Sequence, residues 1–194
     1  MVRQASGIWV RKQTNLQGAD PNVVQLKYGN YRAYTKEKDG SIKAYSSQNG
    51  LNWQLLGVAF QDERYIQVTD PDVFETPSGW VMLLSLGPRL LRCTSEDGII
   101  FVGGEVIDLG GSVSDTVAVT DGWRTFFHVN ANQQNGGRTI IRSAFTTDGL
   151  VWKIEEGVRV SAPEMGPAQR GVADPASVIL NDGTWLMALK SFIK

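Results

Sequence analysis

The chain has 194 residues, 42% hydrophobic and 20% charged, and its 19 Lys and Arg against 20 Asp and Glu leave a net charge of −1. No apolar run is long enough to cross a bilayer, and the near-neutral balance leaves no basic footprint for nucleic acid or anionic lipid. A single cysteine, Cys93, and a single histidine, His128, exclude an internal disulfide and a Cys/His zinc site, so packing must hold the fold.

Residues 1–14 contain no apolar stretch of signal-peptide length. Val2-Arg3-Gln4-Ala5-Ser6 lines up instead with Leu91-Arg92-Cys93-Thr94-Ser95, which marks this segment as part of a repeat. The first full unit opens at Asp20-Pro21-Asn22-Val23-Val24, and its relatives are Asp70-Pro71-Asp72-Val73-Phe74, Asp115-Thr116-Val117-Ala118-Val119 and Asp174-Pro175-Ala176-Ser177-Val178. Each runs through an apolar strand into a turn: Gly29-Asn30-Tyr31, Ser78-Gly79-Trp80, Asp121-Gly122-Trp123 and Asp182-Gly183-Thr184-Trp185. Gly beside Asp, Asn or Ser permits the positive φ angles of tight hairpins.

A second unit follows in three of the repeats: Ser47-Gln48-Asn49-Gly50-Leu51-Asn52-Trp53, Ser95-Glu96-Asp97-Gly98-Ile99-Ile100-Phe101 and Thr147-Asp148-Gly149-Leu150-Val151-Trp152. The Asx side chain bonds turn amides, Gly supplies a left-handed position, and the late aromatic packs between sheets. Two hairpins make four antiparallel strands, and the aspartates at 20, 70, 115 and 174 are 50, 45 and 59 residues apart, the blade period of a propeller. Helical spacing is absent. The expected fold is therefore all-β: one β-propeller domain over 1–194 with about four four-stranded blades, at 18–60, 68–107, 113–160 and 172–194. Residues 1–14 are expected to complete the last blade, so that strands from both termini close the ring and cover two sheet edges. The alternative is a truncated five-bladed propeller.

The first strand of a propeller blade lines the central channel, so Asp20, Asp70, Asp115 and Asp174 are expected to converge at one mouth. Clustered carboxylates resist joint ionisation, which separates acid from base roles; a turn-capping role for each is the competing reading. Cys93 and the repeated tryptophans read as packing, and His128 as a core or channel-wall residue.

Together the Asp-Pro strand starts, the hairpins ending in Gly-Trp or Gly-x-Trp and the Ser/Thr-x-Asp-Gly-x-x-Trp turn resemble the five-bladed glycoside hydrolases of families 43 and 32, and more loosely the Asp-box propellers of sialidases. The resemblance implies a glycan or small sugar as partner. Carried over by position, Asp20 takes the place of the base or nucleophile and Asp70 or Asp72 that of the orienting carboxylate. The third blade shows Ser114-Asp115-Thr116 where those hydrolases carry a glutamate, and Glu164, in the long link before Asp174, is the substitute acid. Asp72, Asp115 and Asp174, with Arg64 and Arg170, are the candidate sugar-binding residues. The expected function is thus glycoside hydrolysis by a monomer, or carbohydrate binding without cleavage, or a ligand-free scaffold. No cofactor or metal pattern is visible; an oxygen-lined mouth suits Ca²⁺ in general, and nothing in the spacing specifies it.

Overall fold

A computed structural model describes residues 2–3, 7–134, 136–162 and 169–193. The described residues are β-structure, turns and connections apart from 3-10 conformation at Glu63–Tyr65 and at Ala162. A short hairpin, β1 (Val2–Arg3) with β2 (Trp9–Val10), precedes three four-stranded antiparallel meanders. The first comprises β3 (Ala19–Gln25), β4 (Tyr31–Lys36), β5 (Ile42–Ser47) and β6 (Gln54–Phe60). In the second are β7 (Thr69–Thr76), β8 (Gly79–Leu86), β9 (Arg89–Ser95) and β10 (Val102–Ile107), and in the third β11 (Ser112–Val119), β12 (Gly122–Val129), β13 (Ile140–Thr146) and β14 (Lys153–Ile154). A final pair, β15 (Gln169–Ile179) with β16 (Trp185–Ile193), forms the inner half of a fourth blade.

The leading strands pack in ring order, β3 on β7, β7 on β11 and β11 on β15. This is a propeller of about four blades, the fourth represented by two strands. No helix of the described residues is long and apolar enough to cross a membrane.

The expected last blade is not assembled from both termini. β1 pairs with β2 and β15 with β16, in separate sheets, and no ladder joins the two pairs among the described residues. A local hairpin closes a loop of a few residues, whereas joining the termini must close almost the whole chain, and two-residue strands supply few hydrogen bonds to offset that entropy.

Burial follows strand position. β8 is covered along its length except at its ends, because sheets stack on both of its faces, whereas the outer strand β6 is largely exposed. The main core joins Tyr34, Ile42 and Phe60 of the first sheet to Met82, Leu84 and Leu91 of the second; a neighbouring cluster joins Phe74 and Leu83 to Phe127 and Ala144 of the third.

The three Asx turns fold alike. Asn49, Asp97 and Asp148 each accept the amides two and three residues on through Oδ1, at 2.7–3.0 Å, and the preceding Ser47, Ser95 and Thr146 hydroxyls accept the glycine amides at 2.9–3.0 Å. These turns aim the late aromatics inward. Phe101 meets Tyr34 edge-on at 5.8 Å and Trp152 meets Phe74 at 6.1 Å, each crossing to the preceding sheet. Trp53, in the first sheet, packs on Tyr31, Ala33 and Tyr45 of its own sheet and on Leu16, and its backbone is clasped by the side-chain amide of Asn15. Deleting so large a buried side chain leaves a cavity: Trp53→Ala should cost about 3–5 kcal/mol in urea denaturation.

Candidate functional site

Every leading strand carries a bulge at the same place. Register breaks between Ala19 and Asn22, Thr69 and Asp72, Ser112 and Ser114, and Ala173 and Ala176. Within each break one residue is left-handed: Asp20 (φ 50), Asp70 (φ 48), Val113 (φ 53) and Asp174 (φ 50). Asp tolerates this region through its short polar side chain, and bulges redirect side chains out of the ladder. The third blade therefore departs from its expected alignment: Val113, not Asp115, occupies the place of the strand-opening aspartates. A β-branched residue at positive φ is strained by about 1–3 kcal/mol. Val113→Asn should accordingly raise stability by about 1 kcal/mol, or roughly 2–4 °C in Tm, read by thermal denaturation.

Two residues beyond the first three of these left-handed positions, a side chain reaches across to the next blade. Asn22 Oδ1 accepts the Val73 amide at 3.2 Å; Asp72 accepts the Thr116 amide at 3.0 Å and its hydroxyl at 2.7 Å; Asp115 Oδ2 accepts the Ser177 amide at 2.5 Å. Asp72 and Asp115, candidate sugar ligands by sequence, are thus seam residues. Asp72 is 1% exposed, so no sugar reaches it. Burial pushes the Asp115 carboxyl up to about 7, with the Asp72 charge adding to the effect, and burial likewise raises Asp72.

A carboxyl whose folded-state value lies above the unfolded one, about 3.9, binds more protons in the folded protein. Its contribution is full below pH ~4 and is lost as pH rises toward about 7. Urea denaturation should show stability falling between about pH 4 and 7, the window bounded by those two values. Asp115→Asn, which retains an acceptor for Ser177, should flatten that fall and gain about 1 kcal/mol or more at pH 8.

The remaining three aspartates are linked electrostatically through Asp70. Asp70 is half-buried, and its carboxyl is raised by burial first and then by the Asp20 and Asp174 charges; the Thr69 hydroxyl, donating at 2.5 Å, and His128 act against the rise. Asp174 is gripped from two sides: His128 Nδ1 lies 3.2 Å from Oδ1 and Lys190 Nζ 3.4 Å from Oδ2. The Asp174 amide also points at His128 Nδ1, at 3.4 Å. That nitrogen accepts from the amide when unprotonated and donates to the carboxylate when protonated, so the two contacts exclude one another. Burial lowers the His128 value against the pull of Asp174 and Asp70. Asp20, the exposed member, borders a 760 Å³ groove shared with Thr69, Gly18, Lys36 and Glu37.

Of the four expected aspartates, Asp20 and Asp174 act electrostatically on Asp70. His128 proves to be a member of the cluster, and Lys190 and Thr69 were not foreseen; the β15–β16 register, Ala173 opposite Lys190, is what brings Lys190 to Asp174. Arg64 is held by Asp62 in a forked contact with a 2.6 Å closest approach and lies over Tyr65. Glu164 lies outside the described residues, as does the side chain of Arg170, whose backbone runs in β15. Cys93 is buried, its thiol pushed up to about 12 by that burial. No group of three or more His, Cys, Asp or Glu among the described residues is arranged to hold a metal ion.

No family model matches the chain, and no curated protein does. Solved structures do. The endo-arabinase from Bacteroides thetaiotaomicron superposes with a TM-score of 0.73 at 16% identity, covering 95% of this chain and 75% of that one. An α-L-arabinofuranosidase from Clostridium thermocellum gives 0.68 at 14%, covering 88% and 60%, and the α-L-arabinanase of Cellvibrio cellulosa gives 0.65 at 11%, covering 89% and 68%. The fold is the β-propeller of these glycoside hydrolases. The chain spans only 60% of the arabinofuranosidase, so the likeness extends to the blades present here.

Proposed function

We propose that this propeller acts on a glycan at the mouth formed by Asp20, Asp70 and Asp174, as a glycoside hydrolase working as a monomer. The observation that carries the reading is that burial, reinforced by the Asp20 and Asp174 charges, retains the proton of the half-buried Asp70 to higher pH. Carboxylates made unequal by their surroundings divide acid from base work. In this reading exposed Asp20 is the base or nucleophile, Asp70 orients, and Glu164 protonates the leaving oxygen. The arabinose-directed activities named for the three structural neighbours make α-L-arabinofuranosyl linkages the first substrates to try.

Binding without cleavage is the second reading. What favours it is that His128 and Lys190 occupy the Asp174 carboxylate, while the charged groups acting on Asp70 include no glutamate.

Incubation with debranched arabinan and an aryl α-L-arabinofuranoside, beside affinity electrophoresis on the same polysaccharide, separates the two. Hydrolysis is expected, with Asp20→Asn lowering kcat by about 10²–10⁴ while leaving the melting temperature unchanged or higher. Retardation without product formation supports the binding reading. Neither cleavage nor retardation, or cleavage indifferent to Asp20→Asn, overturns the assignment of the mouth.

A further inference from the structure

The opposite end of the first sheet carries a groove that the mouth does not explain. Its volume is about 660 Å³, within the usual range for a small-molecule site. Leu26, in the β3–β4 turn, lines it; at about 3.3 Å per residue along β3, that places it roughly 20 Å from Asp20.

The chemistry of the groove is neutral and amide-rich. Asn30, Gln48, Asn52 and Gln54 line it, are exposed, and make no side-chain hydrogen bond among the described residues. Each offers a carbonyl acceptor beside an NH₂ donor. Leu26, Tyr31, Leu56 and Ile99 supply apolar wall between them. The one charged side chain there, Arg32, is engaged by the Asp97 carbonyl at 2.8 Å and by the Trp80 ring.

An independent observation sets this end apart from its siblings. The three Asx turns have the same hydrogen-bonded frame, so their outward positions compare directly. Gln48 stands where the other copies have Glu96 and Thr147; Asn52 replaces Ile100 and Val151, and Gln54 replaces Val102 and Lys153. In the second sheet the equivalent groove is lined by Ser78, Thr94, Ser95, Glu96, Asp97, Ile100 and Val102, with two carboxylates and no side-chain amide. The frame requires none of the amides, since the other two copies fold without them.

We propose that this groove is a second glycan site, for a neutral oligosaccharide. A sugar presents adjacent hydroxyls, each donor and acceptor, and apolar C–H faces. Paired amides match the hydroxyls without discharging an ion, and the Leu, Ile and Tyr walls match the faces. The choice of a sugar over a peptide as occupant rests on the glycan reading of the mouth; the site itself rests on the groove.

The test is an NMR titration of Asn and Gln side-chain amides with arabinohexaose and, separately, xylohexaose at millimolar concentration, in the Asp20→Asn protein so that neither probe is consumed. Shifts at the Gln48, Asn52 and Gln54 amides and the Tyr31 ring are expected with either probe, in addition to any at the mouth. Replacing Asn52 by Ile and Gln54 by Val, the residues of the second copy, should weaken binding at least about tenfold, equivalent to about 1.4 kcal/mol. The same change should leave the melting temperature and any shifts at Asp70 and His128 intact. Absence of shifts in the groove, or shifts that survive the double replacement, overturns the proposal, whatever happens at the mouth. Shifts in the groove with a silent mouth uphold it and count against the mouth instead.

Discussion

One recurring hydrogen bond organises this molecule: a side-chain oxygen near the start of each of the first three leading strands accepts a backbone amide from the next. Asn22 reaches Val73, Asp72 reaches Thr116 and Asp115 reaches Ser177. Inner strands of neighbouring blades share no ladder, so an amide at a strand start would otherwise be buried without a partner, at a cost of about 1–3 kcal/mol. The seam bond removes that cost and sets the spacing at which Phe101 and Trp152 can insert between sheets.

The same bulge serves stability and chemistry, two residues apart. Asp20, Asp70 and Asp174 hold the left-handed position, and two residues beyond the first two of them Asn22 and Asp72 turn into the seam. Val113 shows which duty dominates. It holds the strained backbone although its side chain gains nothing from it, because Asp115 must still reach Ser177. The seams also differ in kind. Asn22 is neutral at any pH, whereas Asp72 and Asp115 are buried close enough to interact, which makes the seams they form, unlike that of Asn22, sensitive to pH.

Repetition made the architecture legible and partly concealed the site. Asp-Pro starts and Asx-Gly turns at blade intervals led directly to stacked meanders, since each motif specifies local backbone geometry. The third repeat misled because its only nearby aspartate, Asp115, suggested the mouth position, and nothing in Gly111-Ser112-Val113-Ser114 advertises a left-handed valine. His128 offered no local motif at all. Its place beside Asp174 depends on β12 of one blade facing β15 of the next, a relation with no signature in either segment.

What the sequence by itself determined is therefore the strand content, the hairpin turns and the blade period, because alternating apolar runs and Gly-Asx turns act over a few residues. The tertiary structure alone decided which carboxylates are buried locks at the seams and which stand at the left-handed bulge positions. That division turns on a one-residue bulge, and shifting a strand by one residue exchanges its two faces. It also decided that the termini stay in separate sheets, since pairing across almost the whole chain is set by loop entropy and the length of the available edges, and no local motif records either.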